Sequence, residues 1–415
     1  MKYLYISAVF LSFAFSGVAQ KKNTTAYAIT SSVKGQQAWT EVKKIDMVTG
    51  EVVKTIFDAS IRNFEVYDAF NGKALQVRKE VEGNIVDNGQ LPFSSFAAAC
   101  AYDKKHNRLY YAPMYLNQLR YFDLNAPAPQ VYYYEGESLS TADNMKEAGN
   151  HVTRMVIGAD GNGYAISNDG EHFVRFSTGK NKEIVELGGL YDAATNSDNN
   201  ISIHNQCSSW GGDVVGAADG SLYLISARQN VFRIDVSTRE ATFLSHVSGL
   251  PPAFTTNGAV VDEEGNLVVS SANSDEGYYA VNMKTWKADK LSTGSSVYST
   301  SDLANGNLAF NKEANLKPTT LFTQSEPGKN SISIYPNPVS NGMLRINFNL
   351  QQAGRYQVQL VDMIGTPVLS REVNVSYPGQ VLAIELGKHV AQGTYLVKVL
   401  SGNTRIVQAD KVVIN

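Results

Sequence analysis

The chain is poor in the residues that build metal centres and disulfide frameworks. Its 415 residues include only six histidines and two cysteines. No His-Glu-x-x-His motif is present, which disfavours zinc hydrolysis. The sequence also lacks the Gly-x-Ser-x-Gly turn of serine hydrolases and the Gly-x-x-x-x-Gly-Lys-Ser/Thr loop that holds phosphates. None of these three catalytic signatures can therefore be assigned to the chain.

Neither sign of charge dominates, and long apolar runs are scarce. The net charge is −3 and the isoelectric point is about 6.1, whereas nucleic-acid-binding domains usually lie above about 9. One short apolar run covers residues 4–15; Lys2 precedes it and the small residues 17–19 follow it. That pattern predicts a secretory signal peptide over residues 1–19. No other run approaches the ~18 apolar residues of a membrane span, so we expect no transmembrane segment in the mature protein.

The two cysteines, Cys100 and Cys207, leave two alternatives open. Export permits a disulfide between them, but their spacing cannot establish that the geometry allows one. The other alternative is a pair of buried free thiols.

What the sequence does contain is a repeat over residues 23–322. Each unit begins with two apolar strands joined mostly by an Asp-Gly or Asn-Gly turn, which favours two left-handed residues in a tight hairpin. Copies of this first hairpin occur at 101–111, 157–165, 216–224, 261–269 and 302–310. Copies of a second hairpin occur at 42–51, 121–124, 174–179, 232–241 and 279–285. Four short strands per unit are typical of a β-propeller blade.

The two ends of the repeat region complement each other. The copy at 302–310 has no second hairpin, and the copy at 42–51 has no first hairpin, so we expect both ends to complete one blade and close the ring. This gives five recognisable blades. Residues 58–96 are long enough for a sixth, degenerate blade. We prefer six blades, with five as the alternative, in a propeller domain over residues 20–322. A polar linker is predicted at 323–330.

The repeat also predicts which side chains share the axial channel. Propellers bind ligands at the axial mouth, so we aligned the blades on the residue that follows each first turn. Nine positions earlier lie Cys100, Arg154, Asp213, Gly258 and Ser299. Arg154 and Asp213 come from consecutive blades and are close enough to pair. They either form a structural ion pair that plugs the channel or leave Arg154 to bind a carboxylate or phosphate of a ligand.

Polar and aromatic residues are predicted to lie on the rim just above this ring. They are His151, His204, Asn205, Trp210 and Asn257. Histidine and tryptophan at a rim suit sugar stacking or peptide recognition. Solvated turn residues are the alternative.

A long polar loop precedes the fourth inner strand. Asp192, Asp198 and Asn200 within it could supply oxygen ligands to calcium. The loop lacks the regular spacing of a calcium-binding loop, and a hydrated loop rich in turn formers is the alternative. No other cofactor is expected.

Residues 331–415 alternate between apolar runs and turns, which predicts a small Ig-like β-sandwich. This segment carries Tyr335-Pro336-Asn337-Pro338, Gly365, Gly393-Thr394-Tyr395 and Lys411. These motifs, in this order, resemble the C-terminal sorting domain of the type IX (Por) secretion system. The resemblance implies that the secretion machinery of a Gram-negative cell recognises residues 331–415. It also implies that the protein is then released or attached at the cell surface.

For the central region, the repeat resembles the broad propeller group at the level of fold only. Among the five ring positions only Asp213 is acidic, whereas a calcium-assisted propeller enzyme needs several axial oxygen ligands. The sequence therefore favours a non-catalytic module that binds a protein or a glycan. A calcium-assisted hydrolase, lactonase-like or glycan-cleaving, is the alternative.

Overall fold

A computed structural model describes most of the chain. The described residues are 24–58, 60–61, 64–81, 84–87, 91–93, 95–311, 332–339, 342–348, 351–362, 366–377, 379–387, 390–401 and 405–415. The predicted signal peptide, the predicted linker and Gly365 lie outside these residues. Tertiary contacts divide the chain into two compact units, Met1–Lys317 and Pro318–Asn415. No helix within the described ranges is long and apolar enough to cross a membrane.

The first unit is a closed ring of five β-sheets. The innermost strand of each sheet contacts the innermost strands of its two neighbours. In ring order these strands are β24 (Asp302–Ala304), β7 (Ala97–Asp103), β11 (Val152–Ile157), β16 (Asp213–Gly216) and β20 (Gly258–Val261). Each sheet alone would expose an apolar face, and the ring buries these faces between neighbouring blades. The all-β propeller predicted from the repeat is confirmed.

The first blade is built from both ends of the repeat region. Its strands are β24, β1 (Thr25–Thr30), β2 (Glu41–Asp46) and β3 (Val52–Phe57), in that order from the axis. Ala28 of β1 lies opposite Leu303 of β24. The C-terminal end contributes this one strand rather than a hairpin, because the chain leaves the sheet after Ala304. Ala309 instead forms a parallel bridge with Ala217 of the fourth blade.

The preference for six blades is wrong, and the five-blade alternative is correct. The second blade comprises β7, β8 (Arg108–Pro113), β9 (Arg120–Asp123), β10 (Gln130–Tyr133) and β4 (Glu65–Asp68). β4 pairs in parallel with β10 at the outer edge. β5 (Arg78–Val81) and β6 (Asn84–Asp87) form a separate two-stranded sheet. Within residues 58–96, β4 therefore extends the second blade, and the described strands of this segment do not form a blade of their own.

The remaining blades follow the four-stranded pattern. The third contains β11, β12 (Gly163–Ser167), β13 (Phe173–Phe176) and β14 (Ile184–Gly188). The fourth contains β16, β17 (Leu222–Ile225), β18 (Asn230–Asp235), β19 (Glu240–His246) and a parallel edge strand, β15 (Tyr191–Asp192). The fifth contains β20, β21 (Leu267–Ser270), β22 (Tyr279–Asn282) and β23 (Lys287–Lys290). Short helices occur at Ala148–Asn150, Ala194–Asn199 and, as α1, Gln206–Ser209.

The first hairpins use longer turns than the sequence predicted. Gly161 and Gly220 are left-handed, with φ of +80° and +87°, but the aspartate before each is not among the residues with positive φ. The Gly158 amide donates to the Asn162 carbonyl, which closes a wider loop. Only the glycine needs the left-handed region in such a turn, so any turn-forming residue can precede it. This explains why Glu264-Gly265 serves equally well in the fifth blade.

The second unit has two sheets. One contains β25 (Ser333–Tyr335), β26 (Met343–Asn347) and β29 (Val381–Glu385). The other contains β28 (Pro367–Val375), β27 (Gly354–Val361), β30 (Gly393–Ser401) and β31 (Arg405–Ile414). Side chains from both sheets form one apolar core that includes Ile346, Val358 and Val397. This is the predicted β-sandwich.

Candidate functional site

Four of the five predicted ring residues lie on innermost strands, and the fifth does not. Cys100, Arg154, Asp213 and Gly258 belong to β7, β11, β16 and β20. Ser299 instead lies in the buried loop before β24, where its carbonyl accepts a hydrogen bond from the Thr30 hydroxyl. Asp302 takes the inner position on the first blade. The turn after β24 is spaced differently from the other first turns, so counting nine positions back from it selects Ser299 instead of Asp302.

Two fully buried carboxyl groups meet across the axis. Asp213 and Asp302 are both 0% exposed and form a side-chain hydrogen bond with each other. They belong to the fourth and first blades, which are not neighbours in the ring, so this contact crosses the channel. Backbone amides complete the site: Ala259 donates to Asp213 Oδ2 at 2.6 Å and Cys100 donates to Asp302 Oδ2 at 2.9 Å. Backbone amides of the fifth and second blades are thereby hydrogen-bonded to the two aspartates.

The pair must hold a proton. Burial raises the pKa of both carboxyl groups well above the ordinary value, and the charge of Asp213 raises that of Asp302 further. Two carboxylates in direct contact without water cannot both stay ionised. A proton held between them lets one carboxyl group donate to the other, so that the contact is a hydrogen bond and not a repulsion. The sequence analysis did not select Asp302. The signal that could have indicated it is a shared pattern, because Asp302-Leu303-Ala304 and Asp213-Val214-Val215 both have an aspartate followed by two apolar residues.

Arg154 does not pair with Asp213. Its guanidinium donates to the backbone carbonyls of Ser167, Ser209 and Gly211 at 2.6–3.0 Å. Burial lowers its pKa to about 10, and it is 0% exposed. The predicted ion pair is therefore incorrect, because the loop before β16 supplies carbonyls that use the arginine's donors. The second alternative, a ligand anchor, would require Arg154 to break these bonds.

Little room remains along the axis beside this pair. The cavity lined by Cys100, Met155, Val214, Ala259 and Leu303 has a volume of about 20 Å³. That is close to the space that one water molecule needs. The centre of the propeller is thus a packed polar plug rather than a pocket for a substrate.

The predicted rim residues lie in loops that lead into inner strands: His151 and Asn257 directly precede β11 and β20, and Trp210 lies three residues before β16. His204, Asn205 and Trp210 belong to one loop, in which Asn205 caps α1 and the Trp210 indole donates to the His204 carbonyl at 3.0 Å. His204 Nδ1 lies 2.7 Å from the Asp169 carbonyl of the third blade. His151 Nε2 lies 2.9 Å from the Met145 carbonyl. These polar groups hold loops in place, while the half-buried Trp210 ring remains partly accessible.

Asn257 also has a local role. Its carbonyl oxygen accepts hydrogen bonds from the Thr255 hydroxyl and the Ala272 amide. Sequence reasoning missed Tyr115, whose ring lies edge-on to His151 at 4.8 Å and is 52% exposed. Tyr115 lies in a loop that matches neither repeated hairpin, so its aromatic ring is the only signal in the sequence that could have indicated a binding role.

In the polar loop proposed for calcium, the carboxylate of Asp192 is already hydrogen-bonded to other residues of the loop. Asp192 accepts hydrogen bonds from Asn196, Ser202 and the Ile203 amide. Asp198 lies in the short helix Ala194–Asn199, and Asn200 adopts a left-handed conformation at its end. Among the described residues no group of three or more His, Cys, Asp or Glu side chains could hold a metal ion.

The predicted disulfide between Cys100 and Cys207 does not form. Both cysteines are free thiols. Cys100 is buried at the axis, where its thiol faces Asp302 Oδ1 at 3.6 Å. Cys207 is exposed on α1. The alternative of two buried free thiols is right for the first cysteine only.

In the second unit, the sorting motif ties its start to its last strand. The Asn337 side chain donates to the Lys411 carbonyl and accepts from the Val413 amide, both at 2.8 Å. Tyr335-Pro336 and Asn337-Pro338 are cis peptides. Gly393 and Thr394 begin β30, and the Tyr395 hydroxyl donates to the Ala391 carbonyl at 2.9 Å. The motif residues thus bring the first and last strands of the sandwich together.

Comparison with known proteins identifies this second unit. Residues 333–415 match the family model of the secretion system C-terminal sorting domain. No curated protein sequence matches the chain.

Solved structures resemble the chain only distantly. PorZ, a surface component of the type IX secretion system of Porphyromonas gingivalis, is 14% identical with a TM-score of 0.30; the match covers 92% of this chain and half of PorZ. Virginiamycin B lyase from Staphylococcus aureus is 12% identical with a TM-score of 0.32, over 64% of this chain and 69% of the lyase. Likeness at this level indicates neither ligand nor activity. Residues 333–415 are a secretion system C-terminal sorting domain, and the chain that carries them is a β-propeller protein exported to the cell surface or secreted.

Proposed function

We propose that the propeller is a non-catalytic module that binds a glycan or a protein segment through the rim around Trp210. The observation that carries this proposal is the Asp213–Asp302 plug, which leaves about 20 Å³ at the axis. A substrate cannot enter that space, and the charged groups there already bind each other or backbone. We also propose that residues 1–19 act as the signal peptide that starts the export route.

The rim has features that suit recognition without chemistry. Trp210 and Tyr115 offer aromatic surface beside His204 and His151, and hydrogen bonds to backbone hold both histidines in place. Rings next to fixed polar groups are a common way to bind sugars and peptides, since the ring supplies apolar contact and the polar groups supply orientation. Rigid loops also reduce the entropy that is lost on binding.

A glycan array probed with the purified full chain tests the proposal, supplemented by capture of surface proteins from the producing cell. Trp210→Ala and Tyr115→Ala are each expected to weaken binding about tenfold, the loss of roughly 1.4 kcal/mol of contact. Tyr191→Ala is the matched control, because Tyr191 is 54% exposed but lies on the outer edge of the fourth blade. Binding unaffected by either rim variant would refute the proposal.

The calcium-assisted hydrolase stays a prediction that a thermal melt can test. Adding calcium or a chelator should leave the melting temperature unchanged if the propeller is a metal-free binding module. A rise of several degrees with calcium, abolished by Asp192→Asn, would favour the enzyme instead.

A further inference from the structure

The boundary between the fifth and first blades departs from the repeat at a site far from the rim. In the second, third and fourth blades the second residue after each first turn is a tyrosine: Tyr110, Tyr164 and Tyr223. All three are buried in the cores between blades. Tyr110 packs on Phe176 of the third blade, with ring centroids 5.1 Å apart. The fifth blade has Val268 at this position, paired with Val260 in the same register.

Val268 lines a cavity at this boundary. It has a volume of about 330 Å³ and lies between Val268 and Ala280 of the fifth blade and Met47 and Val48 of the first. Leu291 and Val260 extend the apolar lining. This volume is within the range of small-molecule sites, roughly 300–1,000 Å³. At two other boundaries the tyrosine ring contacts an aromatic ring of the next blade: Tyr110 contacts Phe176 and Tyr223 contacts Trp286.

The fifth blade also carries more negative charge than the third and fourth blades in the turn at the mouth of this cavity. Asp262, Glu263 and Glu264 line it. The equivalent turn is Gly158-Ala159-Asp160 in the third blade and Ala217-Ala218-Asp219 in the fourth. The fifth blade therefore carries two additional carboxylates. No lysine, arginine or histidine is among the described residues that line the cavity.

We propose that this cavity binds a small amphiphilic cation, with an ammonium or guanidinium group at the acidic mouth and an apolar body between the blades. An ammonium close to a carboxylate is attracted weakly in water and several times more strongly where water is partly excluded. Apolar contact with the valines and Met47 holds the body. An anion of the same shape is repelled by the carboxylates of Asp262 and Glu263. The site is independent of the rim function, because none of its lining residues belongs to the rim.

Phenylbutylammonium is a suitable probe for calorimetric titration of the full chain, with phenylbutanol and phenylbutyrate as neutral and anionic controls of the same shape. The ammonium should bind about tenfold more tightly than the alcohol, and the carboxylate should not bind. Val268→Tyr, which restores the residue of the other blades, should abolish binding while the thermal melt stays cooperative. Trp210→Ala should leave binding unchanged, which separates this site from the rim.

A charge variant tests the proposal even if Val268→Tyr fails to fold. Asp262→Asn combined with Glu263→Gln should reduce affinity for the ammonium about tenfold and leave affinity for the alcohol unchanged. Asp219→Asn, in the equivalent turn of the fourth blade, should change neither. Absence of ammonium binding, equal binding of the carboxylate, or full binding by folded Val268→Tyr would each overturn the proposal. So would binding that appears only after residues 20–23 are removed, since the chain itself would then be the occupant.

Discussion

Two carboxyl groups cut off from water hold the centre of this propeller. Asp213 and Asp302 join blades that are not neighbours, and the amides of Cys100 and Ala259 extend the contact to two more blades. Two other titratable groups act on the pair. The donors of Arg154 go to carbonyls, and the Cys100 thiol stays neutral because burial raises its pKa. A shared proton is therefore part of the folded structure.

This proton makes stability depend on pH. Both folded pKa values lie above the unfolded value of about 3.9 because of burial. Below pH 4 both states hold the protons; as pH rises, the unfolded chain releases them first, so the free energy of unfolding falls. Asp302→Asn is neutral at every pH and can donate to Asp213. Its melting temperature relative to the natural chain should therefore increase between pH 4 and pH 8.

The corresponding increase in the free energy of unfolding, relative to the natural chain, is on the order of 1–2 kcal/mol, since one pKa unit corresponds to about 1.4 kcal/mol. Calorimetric melts at four or five pH values measure it. The double variant Asp213→Asn/Asp302→Asn serves as the reference without either titrating group. Parallel melting curves for the natural chain and Asp302→Asn would show that no proton is held at the axis.

At the scale of elements, closure depends on the single strand β24. Ala28 of β1 is paired on both sides, with Lys43 of β2 and Leu303 of β24, and is fully buried. Val53 lies on β3, the outermost strand of the same blade, and is 57% exposed. The two positions therefore separate closure of the ring from simple tolerance of proline in this sheet.

Ala28→Pro should destabilise the propeller by more than the roughly 1 kcal/mol of an average substitution, because proline removes a ladder donor in the middle of a sheet. Val53→Pro should be tolerated, because edge strands accept proline. Urea unfolding followed by fluorescence gives the midpoint of each variant. If the two variants lose the same free energy of unfolding, the pairing of β1 with β24 does not govern stability.

At the scale of the whole molecule, the two units have separate tasks. The sorting domain directs export, and the binding role that we propose belongs to the propeller. Deleting residues 331–415 should therefore trap a folded propeller in the periplasm, since the machinery loses the segment that it recognises. Cell fractionation with immunodetection measures the distribution. The full chain with Trp210→Ala is the control and should reach the surface normally; surface delivery of the truncated chain would disprove sorting by this domain.

Much of the fold was predictable because its causes are local. Turn glycines such as Gly161 and Gly220 recur with the blades, and the incomplete copies at 42–51 and 302–310 indicated closure. Cys100, Arg154 and Asp213 were placed on inner strands by spacing alone. Residues 58–96 were misassigned as a blade because length says nothing about which edge a strand joins, and β4 adds in parallel to the second blade.

The sequence by itself determined the strand repeat, the ring closed by both ends of the repeat region and the sorting domain, since hydrogen-bonded hairpins and short motifs depend on neighbouring residues. Only the tertiary structure decided the number of blades, the partners of Asp213 and Arg154, the separation of the two cysteines and the cavity beside Val268. These depend on residues that meet only when the ring closes. Asp213 and Asp302 are far apart in the chain, and no local pattern could have indicated that they share a proton.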